Sequence, residues 1–196
     1  ALLTAPLTVM FVLLSLSLYD RAFLPGIFVT ADKVRAVAFG VVIALGAGFF
    51  EELGWTGFAI PELRRRFGLF QTGLIMGLLW GLWHFLAVSW GIGDRKGGVP
   101  LALIVALDSL SVLPVFRVLM VWLYDRATSL FLAMVMHASI TASLIILGPR
   151  VSGVQLLIYD LVLAGTLWVV VVFLAVRRAS LQTRRSVAGS KDPAYI

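Results

Sequence analysis

Two carboxylates and two imidazoles are the chain's clearest chemical resource: Glu51 and Glu52 stand side by side, and His84 and His137 are its only histidines. Carboxylates accept a proton from water and imidazoles exchange one near neutral pH, so the set suits water activation, with or without a metal ion. All four sit within strongly apolar stretches. Adjacent carboxylates repel each other there, and a purely structural role does not ask for two of them in a row. Asp108, Arg117 and Asp160 are the other charges inside apolar segments. Structural roles are expected for those three, with Arg117 reaching along its helix to the nearer membrane face.

The elements that must hold these groups follow from composition. Of 196 residues, 61% are hydrophobic and 13% charged, and the mean hydropathy is +1.02. Too few polar side chains exist to cover a water-facing surface, so a soluble globular protein is excluded. With no cysteine, disulfide frameworks and thiolate chemistry are excluded as well. The 16 basic residues give a net charge of +6, but they lie between and after the apolar runs rather than on one surface, so no nucleic-acid partner is expected. Six apolar segments can be read, at 1–18, 34–60, 69–92, 99–124, 127–147 and 153–176. Most reach the roughly 20 residues that cross a hydrocarbon core, and none alternates polar and apolar residues as a lipid-embedded barrel would. The expected fold is all-α, a polytopic transmembrane bundle of about six helices over residues 1–176, with 177–196 as a basic, polar cytoplasmic tail. Ala1 falls inside an apolar run and is not Met, so further sequence before it is expected.

Depth then relates the polar residues to one another. At 1.5 Å per residue, Glu51 lies about 15 Å from the loop at Pro61, His84 about 20 Å from that same loop, and His137 about 15 Å from the loop at Arg126. Groups on three helices thus reach one level. Orientation follows from the basic clusters at Arg64–Arg66 and beyond Arg177, which fall on one side of the bundle. That topology puts nine basic residues on the cytoplasmic side and six (Arg21, Lys33, Arg35, Arg95, Lys96, Arg150) outside, in the direction of the positive-inside rule. The expected location is the cell membrane, with the site toward its cytoplasmic half.

Three runs in this order carry a resemblance: Glu51-Glu52-Leu53-Gly54-Trp55-Thr56-Gly57-Phe58, Trp80-Gly81-Leu82-Trp83-His84, and His137-Ala138-Ser139-Ile140-Thr141. They resemble the CPBP family of intramembrane proteases, which includes the type II CAAX prenyl endopeptidases and bacteriocin-processing relatives. The family's first motif has Arg where Thr56 stands, its second has Phe where Trp80 stands, and its third usually has Asn or a similar polar residue where Thr141 stands. Thr141 keeps a hydroxyl one turn from His137, whereas Thr56 cannot replace a guanidinium that would hold a carboxylate.

The resemblance implies hydrolysis of a peptide bond in a membrane-associated peptide or protein, delivered within the lipid bilayer. Glu51 and His84 would position and deprotonate the water, His137 and Thr141 would stabilise the oxyanion, and Glu52 would organise the site. Glu51, His84 and His137 could form a three-ligand zinc site, although the soluble-protease pattern His-Glu-x-x-His is absent. A metal-free course driven by the paired glutamates is also open and is the one preferred. A catalytically silent relative acting as a membrane scaffold or immunity protein, and a proton-coupled transporter using the same groups as a relay, are the alternatives. In each case Glu51, His84 and His137 should gather within about 10 Å, close enough for bridging waters, with Thr141 on the wall.

Overall fold

In lipid every backbone polar group must find its partner within the protein, which for a chain this apolar leaves helices. The computed structural model describes residues 1–91 and 100–189, and these contain no strand. Helix α1 is Thr4–Ser17; a 3₁₀ turn at Arg21–Phe23 and the short α2 (Gly26–Val29) lead to α3 (Lys33–Gly54). A single π turn, Trp55–Ala59, joins α3 to α4 (Ile60–Arg64). Then come α5 (Leu69–Gly91), α6 (Leu101–Ala127), α7 (Leu130–Leu147) and α8 (Val154–Gly189). The six long helical stretches are the six segments read from hydropathy. Arg95, Lys96, Lys191 and the side chains of Trp90, Asp108, Arg178, Arg184 and Arg185 lie outside the described residues.

Among the described residues four helices are long and apolar enough to cross a membrane: 33–64, 69–86, 130–147 and 154–177. Helix α1 is apolar but has 14 residues, short of a full crossing. Helix α6 has 27 residues but carries Arg117 near its centre, and it stays one helix through Pro114. Helix α8 does not end with the apolar run at Val176 but continues to Gly189, so the basic tail begins as helix.

The ends of the helices are set by local chemistry. Asp32 caps α3 by accepting from the Arg35 amide at 2.9 Å, and Ser129 caps α7 by accepting from the Leu132 amide at 3.3 Å, each satisfying a first-turn donor. Thr128, left-handed at φ 46°, ends α6 and leaves two residues between α6 and α7. At one end of the bundle the Arg64 guanidinium grips Asp125 through two bonds, 3.0 and 2.7 Å, tying the end of α4 to the end of α6. At the other end the Gln155 amide donates to Asp20 at 2.7 Å. The connections therefore alternate between two ends, as successive crossings require.

Small residues let two helix pairs close. On α5, Gly73, Gly77 and Gly81 recur every fourth position and share one face. A Cβ on Gly73 would sit 2.6 Å from the Val118 backbone, and one on Gly77 or Gly81 would fall onto Pro114 or the Ser109 carbonyl, so α5 and α6 touch backbone to backbone. On α3 the buried row is Gly40, Ala44, Gly48 and then Glu52. A Cβ on Gly40 would lie 2.5 Å from Ile146 and one on Gly48 2.6 Å from the Met134 carbonyl oxygen, both on α7. Helices α1 and α8 cover these pairs through a core that includes Val9, Leu13, Phe116, Ile140 and Leu167. In membranes, where lipid is as apolar as the core, such close backbone approach is a main source of helix association.

Gly77 and Gly46 provide a matched test. A Cβ at Gly46 meets nothing within 4 Å, so Gly46→Leu should change stability by less than about 0.5 kcal/mol. Gly77→Leu should cost about 1–3 kcal/mol, the usual overpacking range. Reversible unfolding in mixed detergent micelles reads both, and equal effects would contradict the α5–α6 contact.

Candidate active site

Consecutive residues on a helix are about 100° apart, so Glu51 and Glu52 cannot face the same surroundings. Glu52 continues the small-residue row of α3 into the bundle and is fully buried; Glu51 turns toward α5 and is half-buried. The π turn follows at once. The Trp55 amide is shared between the Glu51 and Glu52 carbonyls, and the Ile60 amide reaches Trp55 in the wide π pattern. Pro61 has no N–H, and its ring crowds the carbonyl four residues back, which is a reason for the helix to widen here.

Three helices converge on Glu52. The Arg117 Nη1 of α6 donates to both of its oxygens at 2.9 Å, and His137 Nδ1 of α7 lies 2.7 Å from Oε1. The Thr56 hydroxyl donates to Oε2. Glu52, Arg117 and His137 are each 0–1% exposed. A carboxylate buried this way demands a partner cation, and the guanidinium supplies it. The expectation that Arg117 reaches for the membrane face is therefore corrected: its side chain stays inside because Glu52 and the Trp80 ring receive it. Thr56, in the place of the motif's Arg, bonds Glu52 as a neutral donor, and the charge comes from another helix.

Trp80 of α5 stands at the centre of the group and is 1% exposed. Its indole N–H donates to Glu51 Oε2 at 2.9 Å. The Arg117 guanidinium carbon lies 4.2 Å from the ring centroid, within cation–π range. The His84 and His137 rings each stand edge-on at 5.0 Å between centroids, so the two imidazoles are at most twice that distance apart. His84 Nδ1 lies 3.0 Å from the Trp80 carbonyl oxygen, and Trp83, half-exposed, borders its ring at 4.9 Å.

These contacts fix tautomers. A carbonyl oxygen only accepts, so His84 must carry its proton on Nδ1; an ionised Glu52 likewise only accepts, so His137 does the same. In a neutral ring Nε2 is then left as the acceptor, whereas in an imidazolium both nitrogens donate. Glu51 and His84 are half-buried and form the open side, while Glu52, Thr56, Trp80, Arg117 and His137 form a closed layer behind them. Thr141, half-buried, lies one turn beyond His137 on α7. Among the described residues no three His, Asp or Glu groups gather closely enough to hold a metal ion.

The sequence did contain a signal for Arg117. It lies ten residues before Ala127, about 15 Å deep, the same level as Glu51 and His137. Trp80 gave a weaker one, since aromatic side chains crowd membrane helices for many reasons. Asp160 is buried on α8.

The family model described as type II CAAX prenyl endopeptidase, Rce1-like, matches residues 33–143, more than half of the chain and all of the polar cluster. CAAX prenyl protease 2 of Methanococcus maripaludis is 46% identical over 43 residues, which are 22% of this chain and 16% of that protein. No solved structure matches the chain significantly.

The ion pair gives a stability prediction. Arg117→Met should cost about 3–5 kcal/mol by leaving the Glu52 charge buried alone, and adding Glu52→Gln should return part of it. Arg65→Met, which breaks the exposed pair with Glu62, should cost under about 1 kcal/mol. Similar losses for Arg117→Met and Arg65→Met in detergent unfolding would refute the buried pair. With its matched region holding the whole cluster, the chain belongs to the Rce1-like type II CAAX prenyl endopeptidase family.

Proposed function

We propose that this family member is an intramembrane endopeptidase in which Glu51 activates the water that attacks a peptide carbonyl. One observation carries the reading. Glu51 and His84, on the open side, are braced by a buried layer whose every member lies in the family-matched stretch. With Oε2 held by the Trp80 indole, Glu51 keeps Oε1 for the water's proton. The resulting hydroxide adds to the carbonyl carbon, and the oxyanion is met by the Thr141 hydroxyl and by His137 in its imidazolium form, whose Nε2–H donates while Glu52 holds Nδ1–H. On collapse, the proton held by Glu51 passes to the departing amine, which restores the carboxylate. Glu52 steadies any proton that reaches His137 Nε2, because it holds the opposite ring nitrogen, the logic of a carboxylate–imidazole dyad.

The substrate is a membrane-associated peptide or protein. A CAAX-type C-terminal peptide is the first to test, from the name of the archaeal relative, and leader peptides or membrane proteins come next. Placement in the cell membrane, with the site toward the face that bears Arg64–Arg66, belongs to the same proposal. The silent-scaffold alternative rested on Thr56 and Thr141; for the first, Glu52 obtains a guanidinium from Arg117 instead, and for the second, Thr141 keeps a hydroxyl one turn from His137. No step of this scheme needs a metal ion.

Purified protein in liposomes, offered a membrane-delivered peptide, tests the reading. Glu51→Gln should lose about 100- to 10,000-fold in cleavage with helicity and unfolding midpoint unchanged; wild-type activity in that variant would reject Glu51 as the base. Glu52→Gln should lose activity and stability together. Chelation should leave activity intact. Stoichiometric zinc, with activity lost on removal and restored on return, would overturn the metal-free course.

A further inference from the structure

Resting on the hydrolytic reading above, we propose that Trp80 is a positioning residue for that reaction: its indole N–H holds the Glu51 carboxylate so that Oε1 faces the water site. An indole N–H is a donor only, and its one hydrogen bond goes to Glu51 Oε2 at 2.9 Å. The ring that carries it has no freedom to turn. Arg117 covers one side at 4.2 Å from the ring centroid, and both imidazole rings stand at a steep angle to it with centroids 5.0 Å away. Next to it, Gly81 brings α5 onto the Ser109 carbonyl of α6, which fixes the backbone from which the indole projects. Glu51 itself is half-buried at the end of a helix that widens into a π turn, so without that donor its carboxylate can rotate among staggered positions.

The same residue fixes His84, but through its backbone carbonyl, so a change of side chain at position 80 should release Glu51 and leave His84 held. A phenyl ring fills similar space but offers no donor. The role of the indole N–H can therefore be separated from packing.

Two substitutions make that separation. Trp80→Phe removes the donor and some volume, while replacing the Trp80 side chain with its 3-benzothienyl isostere removes the N–H and keeps the shape. Both should lower kcat about 10- to 100-fold, on the scale of a misplaced catalytic group, with KM within about twofold and the isostere's unfolding midpoint unchanged. In a Glu51→Gln background the isostere should cause no further loss, since its effect runs through Glu51. A fully active isostere in a protein that Glu51→Gln inactivates would overturn this proposal and leave the hydrolytic reading standing. One arm does not depend on cleavage. The Trp80 indole proton resonance, assigned by its disappearance in Trp80→Phe, should move upfield in Glu51→Leu. An unmoved resonance would refute the contact, even if the chain cleaves nothing.

Discussion

Burying an ionised carboxylate in a lipid-facing bundle is costly unless a cation is buried with it, and the arrangement of this protein follows from the way Glu52 meets Arg117. The two residues come from α3 and α6, which belong to different helix pairs, α3 with α7 and α5 with α6. The bond between them therefore fixes one pair against the other. His137 joins from α7 and Trp80 from α5, so each helix of both pairs contributes a side chain to one contact group. Small residues are the precondition. Unless Gly40 and Gly48 let α3 close on α7, and Gly73, Gly77 and Gly81 let α5 close on α6, the polar groups would be too far apart to neutralise one another.

Helical geometry divides the labour between neighbouring glutamates. A rotation of about 100° carries Glu52 inward to three donors and leaves Glu51 with one donor and a partly open face. Two equivalent carboxylates would repel and would each need a cation; two unequal ones need only Arg117. The buried glutamate is then well suited to fixed structure, because its lone pairs are occupied. The outer glutamate retains acceptor capacity, which is what work on water requires.

Hydropathy made the six long helices legible, because a lipid solvent forces continuous apolar runs of a set length. Depth along those helices brought Glu51, His84 and His137 to one level. It did not place Arg117, although the residue lies at that level too, because depth locates a backbone and a long side chain can travel about a turn in either direction. The closeness of α5 to α6 was written in the four-residue spacing of Gly73, Gly77 and Gly81, a signal diluted by how common glycine is in membrane helices. The π turn after Glu52 had no clear mark beyond Pro61, since many helices accept a proline near a first turn without widening.

Thr56 shows why a motif read along one helix can mislead about charge. A site needs a guanidinium at a point in space, and the helix that delivers it is free to differ so long as the side chain arrives. Here the position one turn past Glu52 holds a hydroxyl, while α6 brings the cation from the opposite side and lays it on the Trp80 ring. That route has a structural consequence. An Arg on α3 would only brace its own helix, whereas Arg117 ties α6 to α3, so electrostatic neutralisation and the register of the two helix pairs become one constraint. Loss of the cation should then disturb the alignment of Trp80 with both histidines as well as the charge of Glu52.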